Sequence, residues 1–137
     1  RTLFQPGRYG DRWAPVLIAW SDPDETPELS GPVAGLAGSA WVQLSDGVRS
    51  DAQRVYVTGI VSLDGPDLAR LAASGDRARG EVSTVLLHEL GHLVGLDHVR
   101  DAGQVMYPEA VDAVDGYRMG DRRGLARLGA GSCHPEL

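Results

Sequence analysis

Three of the four histidines of this 137-residue chain lie in one segment, HELGHLVGLDH, at residues 88–98. In a helix, residues four positions apart lie one turn apart on the same face, so His88 and His92 can bind one ion together. Glu89 lies on the flank of that face, where its carboxylate can reach a water molecule beside the ion but is badly placed to be a ligand. The spacing therefore predicts a helix here that carries a metal site and a general base.

Gly95 and His98 extend this pattern beyond the predicted helix. Glycine can leave a helix in a left-handed conformation, and the resulting sharp turn can bring His98 back to the same ion. Three histidine nitrogens leave one position of a tetrahedral zinc open, which is typical of a catalytic site. HExxH alone also occurs on ordinary helix surfaces, but HExxHxxGxxH fixes five positions and rarely arises by chance. We predict zinc ligands at His88, His92 and His98, with Glu89 as the catalytic base.

Composition limits the other classes of protein that the chain could represent. With 42% hydrophobic residues, it is long enough for one domain with a core, and we expect a single domain over residues 1–137. The formal net charge of −6 and the absence of runs of like charge argue against nucleic acid as a partner. No apolar stretch reaches the roughly 18 residues of a membrane span. We expect a monomer with no nucleic-acid or membrane partner.

The first half of the chain predicts strands. Residues 1–15 contain scattered proline and glycine and predict an irregular arm. The apolar run at residues 16–20 predicts a buried strand, and residues 54–64, rich in β-branched side chains, predict the clearest strand. Residues 31–44 mix β-formers with glycine, which favours an edge strand or a bulge.

The second half predicts helices. A short helix is expected at residues 66–73 with Asp64 or Gly65 near its cap, and the main helix at residues 77–94, ended by Gly95. Asp121 can cap a final short helix. Strands followed by helices predict an α+β fold.

Met106, in the segment VMYP at residues 105–108, completes a known signature. HExxHxxGxxH followed by a Met-turn is the pattern of the metzincin zinc peptidases, which this chain resembles. Within that group it looks most like the matrixins, especially the bacterial ones, because Met106, Tyr107 and Pro108 match their Met-turn. Astacins and serralysins carry a tyrosine two residues after the methionine, where this chain has Pro108.

The resemblance implies a zincin-like fold: a twisted, mostly parallel sheet with an antiparallel edge strand, an active-site helix and a C-terminal helix. It also implies a strand and a long backing helix before residue 16, for which residues 1–15 are too short, so we expect either a trimmed chain or a reduced, minimal catalytic domain. Reduced burial would make the fold more marginal.

The resemblance also assigns further site residues. It places the strand that pairs with an extended substrate at residues 35–37, the floor of the specificity pocket at Thr84, and the pocket wall at residues 108–110. Ala110 stands where matrixins commonly have tyrosine. Met106 is expected to form an apolar floor under the metal. The implied substrate contacts are Gly35, Leu36, Ala37, Thr84, Pro108 and Ala110.

These residues together predict a zinc endopeptidase that cleaves proteins or peptides through a metal-activated water, and the resemblance implies that it is secreted. The first alternative is a catalytically weak or inactive zinc-containing module that binds a peptide or an inhibitor. The second is a structural zinc site, disfavoured because only three ligands can be named. Glu89 favours the enzyme, since a degenerate site would be expected to lose its base.

The remaining candidate residues have simpler interpretations. The carboxylates in residues 21–25 and 111–116 lack EF-hand spacing, so solvated turns explain them better than Ca²⁺ sites. Cys133 is either a free thiol or bridged to a cysteine outside this sequence, and His134 is expected in a solvated tail. No second histidine cluster exists for a structural zinc. Tyr107 and Tyr117 are expected to pack in the core or in loops rather than to contact substrate.

Overall fold

The computed structural model describes residues 2–44, 53–109, 113–134 and 137. The strands precede the longer helices along the chain, which confirms the predicted α+β class. A 3-10 turn (Pro27–Leu29) separates the first two strands. The other elements are α1 (Pro6–Tyr9), β1 (Leu17–Ser21), β2 (Gly35–Leu44), β3 (Gln53–Asp64), α2 (Gly65–Ala73), α3 (Asp76–Leu93) and α4 (Met119–Leu128).

The three strands form one sheet in the order β1-β3-β2. β1 runs parallel to β3, with Leu17 opposite Ile60, and β2 runs antiparallel to β3, with Gly35 opposite Leu63. The antiparallel edge strand is therefore confirmed, but the sheet is mixed, and a mostly parallel sheet is not found among the described strands. Only residues 45–52 separate β2 from β3, whereas a parallel crossover needs about a dozen residues or more.

The apolar run in β1 is not buried, so this part of the sequence-based prediction is wrong. Ile18 is 55% exposed and Trp20 is 64% exposed. β1 lies at the outer edge of the described sheet and pairs with β3 along one side only. A short apolar run indicates a strand, but burial of that strand also depends on which elements pack against it.

The core lies between the sheet and the helices. Val61 and Leu63 of β3 pack with Leu68 of α2 and Val85 of α3, and all four are buried. Gly59 has no side chain where Leu93 of α3 crosses the sheet. This packing holds α3 against the inner face of β2 and β3, and it sets the distance between the active-site helix and the edge strand.

The helix ends agree closely with the sequence, with one correction. The Asp64 carboxylate accepts a hydrogen bond from the Asp67 N–H at 2.9 Å, so Asp64 caps α2 as predicted. α3 ends at Leu93, and Gly95 has a φ of 99°, in the left-handed region. α4 begins after Arg118 rather than Asp121, whose carboxylate instead accepts from the Arg118 N–H at 2.9 Å from inside the first turn.

The N-terminal arm is less irregular than predicted. Pro6 begins α1, a single helical turn, consistent with the preference of proline for the first helical position. Thr58 of β3 donates its hydroxyl to the Ala14 carbonyl at 2.6 Å and ties the end of the arm to the sheet. None of the helices in the described part of the chain is long and apolar enough to cross a membrane.

Candidate active site

The C-terminal half of α3 and the turn after it bring three imidazoles together. His88 and His92 lie one turn apart, and their Nε2 atoms are 3.1 Å from each other. His98 Nε2 lies 3.1 Å from each of those two atoms. The three ring nitrogens thus form a nearly equilateral triangle.

Hydrogen bonds on the other ring nitrogens define the tautomers of His88 and His92. His88 Nδ1 lies 2.8 Å from the Val105 carbonyl, and His92 Nδ1 lies 2.9 Å from the Leu96 carbonyl. A carbonyl only accepts, so each Nδ1 carries the proton and each Nε2 presents a lone pair. Desolvation by burial lowers the pKa of His88 below 6.5 and so favours the neutral ring, although the hydrogen bond to the Val105 carbonyl acts in the opposite direction.

The triangle has the donor set and the dimensions of a zinc site. Two converging lone pairs repel unless a cation lies between them. A tetrahedral zinc with Zn–N distances of about 2.0–2.1 Å requires nitrogens about 3.3 Å apart, close to the observed 3.1 Å. Within the described ranges, no other histidine, cysteine or carboxylate joins this group. The three histidines fit Zn²⁺ and leave a fourth position open.

The turn after α3 orients the His92 ring. Gly95 donates to the His92 carbonyl at 3.0 Å, and Leu96 donates to the Gly91 carbonyl at 2.9 Å, which fixes the Leu96 carbonyl beside His92 Nδ1. The Tyr56 hydroxyl packs against Gly95 and leaves no room for a Cβ atom. Gly95, predicted to let the chain turn toward His98, thus has a left-handed backbone conformation and no space for a side chain.

Glu89 lies beside the three histidines, but its carboxylate is not part of their cluster. Its side chain is only 5% exposed, and Oε2 has no hydrogen-bond partner among the described residues. Burial raises the pKa of Glu89 above its usual value of 4.5, while the nearby His92 lowers it. A buried carboxylate with a free oxygen at the edge of a metal site can accept a proton.

Met106, predicted to form an apolar floor under the metal, is buried against α3. It is 1% exposed, and its sulfur packs against Gly91 of α3. The Met106 carbonyl accepts from the Val99 N–H at 2.9 Å, which links the Met-turn to the segment that follows His98.

The matrixin family profile matches residues 28–127, which include β2, β3, the three histidines and Met106. The chain belongs to the matrixin family. This confirms the resemblance inferred from HExxHxxGxxH and the Met-turn. Comparisons with curated proteins and with solved structures gave no match.

This matrixin has a buried acidic residue, Asp121, behind the site, although its sequence position predicted only a helix cap. Asp121 is 2% exposed, and its carboxylate accepts from the Val105 N–H at 3.0 Å and from the Met106 N–H at 3.3 Å. A single aspartate at a helix start is most simply read as a cap. No local pattern indicates that its carboxylate reaches back to the Met-turn.

The histidines and Glu89 of the matrixin open into a cleft of about 770 Å³ between β2 and the loop after Met106. Five of the six predicted substrate contacts line it, and the sixth, Ala110, is outside the described residues. Those five are Gly35, Leu36, Ala37, Thr84 and Pro108. Thr84 is buried, and its hydroxyl accepts from the Val114 N–H at 2.8 Å, which fastens the cleft wall to α3.

The other candidate residues have different environments. Tyr107 lines the cleft, whereas Tyr117 donates its hydroxyl to the Leu87 carbonyl at 2.7 Å in a packing contact. Cys133 is an exposed thiol, and His134 is half-buried rather than fully solvated.

The carboxylates considered for Ca²⁺ have a simpler role where the structure describes them. Asp22 Oδ1 accepts from the Asp24 and Glu25 N–H groups, each at 2.9 Å. This is the local hydrogen bonding of a turn. Residues 111 and 112 of the second predicted segment lie outside the described residues.

Proposed function

We propose that this matrixin is a zinc-dependent endopeptidase. The observation that carries the proposal is the convergence of three histidine Nε2 atoms beside a buried Glu89 carboxylate, in a cleft bordered by an edge strand. A site that only stabilised the fold would be expected to have a fourth protein ligand and to be closed.

The histidines would hold the metal, and Glu89 would move the proton. Bound zinc supplies a Lewis acid that polarises the scissile carbonyl and lowers the pKa of a water molecule to about 7. Glu89 accepts a proton as the water oxygen attacks the carbonyl carbon, and it donates that proton to the amine when the C–N bond breaks. Its unpartnered Oε2 is available for both transfers, and its burial makes the carboxylate more basic.

The edge strand supports a peptide as the substrate. The edge of β2 away from β3 pairs with no strand in the described sheet, so its backbone can bind an extended chain. Small residues at Gly35 and Ala37 leave that edge accessible. Val85, Val105 and Val114 line the adjoining cleft, which favours an apolar substrate side chain next to the cleaved bond.

The alternative is a zinc-containing module that binds peptides or inhibitors but turns over slowly or not at all. The exposed apolar side chains of β1 favour it, because incomplete burial leaves less stability to hold a catalytic geometry. Retention of Glu89 and the open fourth position favour the enzyme.

The test is zinc content together with cleavage of a mixed peptide library, with and without a chelator. We expect one zinc per chain, cleavage that the chelator abolishes, and recovery when zinc is restored. Glu89→Gln should lose nearly all turnover and keep its zinc. Glu81→Gln is the matched control, because Glu81 lies on the same helix beside Arg77, outside the cleft. Zinc binding without cleavage would favour the binding module, and full activity in Glu89→Gln would refute the role of Glu89.

A further inference from the structure

The buried Asp121 carboxylate and the His88 imidazole contact the same peptide group from opposite sides. The peptide bond between Val105 and Met106 carries the Val105 carbonyl and the Met106 N–H. The Val105 carbonyl accepts from His88 Nδ1 at 2.8 Å, and the Met106 N–H donates to Asp121 Oδ1 at 3.3 Å. The other carboxylate oxygen accepts from the preceding N–H, that of Val105, at 3.0 Å.

We propose that Asp121 is a positioning residue for the metal site and acts on His88 through this peptide group. A carboxylate that accepts from a peptide N–H draws electron density toward the carbonyl oxygen and makes it a stronger acceptor. The His88 Nδ1–H bond is strengthened in turn, which fixes the tautomer and makes Nε2 a better donor to a metal. The inference rests on the proposed zinc site but not on peptide cleavage.

The burial of Asp121 supports an electrostatic role in addition to its role at the start of α4. A buried carboxylate is costly unless it is well hydrogen-bonded, and this one accepts from three backbone N–H groups, those of Val105, Met106 and Arg118. The hydrogen bond from the Arg118 N–H stabilises the start of α4. The hydrogen bonds from the Val105 and Met106 N–H groups hold the Met-turn, so the carboxylate connects the start of α4 to the peptide group that orients His88.

Gln104 keeps Asp121 in place. Its side-chain oxygen accepts from the Gly120 N–H at 2.9 Å and from the Asp121 N–H at 3.2 Å. A Cβ atom on Gly120 would lie 2.9 Å from that oxygen, so Gly120 allows the close approach. The start of α4 is therefore fixed against the Met-turn by hydrogen bonds in both directions.

His92 provides an internal comparison. Its Nδ1 also donates to a backbone carbonyl, that of Leu96 at 2.9 Å. No carboxylate hydrogen-bonds to the Leu96–Asp97 peptide group in the described part of the chain. His88 and His92 thus differ in one respect. The peptide group that orients His88 also hydrogen-bonds to a carboxylate, whereas the peptide group that orients His92 does not.

The first experiment measures zinc affinity by competition with a chromophoric chelator, on variants shown by circular dichroism to be folded. Asp121→Asn should weaken zinc binding roughly 10- to 100-fold, the range for partners of metal ligands, and should change the visible spectrum of the cobalt-substituted protein. Tyr117→Phe is the matched control. Tyr117 lies just before α4, and the substitution removes its hydrogen bond to the Leu87 carbonyl of α3. It leaves the Met-turn untouched, so zinc affinity should stay within about twofold of the parent.

The second experiment needs no variant and remains decisive if Asp121→Asn does not fold. In the zinc-loaded parent, NMR should show the His88 Nδ1 proton at lower field than the His92 Nδ1 proton. Equal shifts would overturn the proposal. So would an Asp121→Asn variant with parental zinc affinity and cobalt spectrum, or an equal loss of affinity in Tyr117→Phe. A parent that binds zinc but cleaves nothing would refute the peptidase and leave this test intact, whereas a parent without zinc affinity would refute both proposals.

Discussion

Gly35 of the edge strand lies directly against the Glu89 side chain of α3. A Cβ atom built on Gly35 would lie 2.7 Å from Glu89 Cγ and 2.9 Å from its Oε1. The absence of a side chain at position 35 is therefore what allows the buried carboxylate to lie beneath the strand and beside the histidines.

Gly35→Ala should displace Glu89 without removing a zinc ligand. A displacement of about 1 Å at a reacting group can lower the rate roughly 100-fold, so kcat should fall by about 10- to 100-fold while zinc content stays at the parental level. Gly38→Ala is the matched control, because a Cβ on Gly38, in the same strand, meets no atom within 4 Å. Parental kcat in Gly35→Ala would show that the base tolerates displacement.

Gly95→Ala should disrupt the turn that carries His98. Gly95 has a φ of 99° and packs against the Tyr56 hydroxyl, so alanine there is strained and also crowded. We expect a loss of about 1–3 kcal/mol in the free energy of unfolding and weaker zinc binding, measured by denaturant titration and chelator competition. Gly129, which ends α4 with a φ of −78°, should accept alanine with little effect. Equal behaviour of the two variants would contradict the strained-turn explanation.

Thr84→Val should change which substrate side chains the cleft prefers more than it changes the rate of cleavage. The variant leaves the Val114 N–H without its acceptor at the cleft wall, at a cost of about 1–3 kcal/mol if that group stays buried. Profiling of cleavage sites should show a changed or broader choice of the side chain beside the cleaved bond. Ser83→Ala is the control, because the exposed Ser83 donates only to the Arg79 carbonyl of its own helix. An unchanged cleavage profile in Thr84→Val would count against a role for Thr84 in shaping the wall.

Tyr117 should make stability depend on pH at the alkaline end. Burial raises the pKa of Tyr117 above its ordinary value of 10.0, so the fold favours the protonated phenol. Its stabilising contribution is present below that value and is lost as pH rises through the higher folded value. Urea unfolding at pH 8 and pH 11 should show a smaller decrease for Tyr117→Phe than for the parent, and Tyr9→Phe should behave like the parent. At pH 8 the Tyr117→Phe variant should lose about 0.5–1.5 kcal/mol with its hydrogen bond to Leu87.

The convergence of the three histidines was predictable because most of it is local. His88, His92 and Gly95 belong to one helix and its terminating turn, where spacing in sequence fixes spacing in space. The boundaries of α3 and the capping of α2 by Asp64 followed for the same reason. Met106 was found through the family signature rather than through local physics.

The rest depends on contacts between distant segments, which a local pattern does not encode. Asp121 looked like a helix cap, and only the folded chain brings its carboxylate to the Met-turn. Gly35 was assigned to the edge strand, but its clearance from Glu89 depends on how β2 packs on α3. The apolar run of β1 was read as buried, although burial depends on what covers a strand as well as on its own residues.

The exposed edge of β1 affects how the protein will behave at high concentration. The free edge of β1 pairs with no strand in the described sheet, and its backbone groups, flanked by Ile18 and Trp20, form a template for strand-to-strand association. β1 itself has none of the lysine, proline or inward-facing charge that commonly protects such edges. We therefore expect aggregation through β1 as the concentration rises, which light scattering over a concentration series can measure. A charged residue at position 18 is the first substitution to make for concentrated samples.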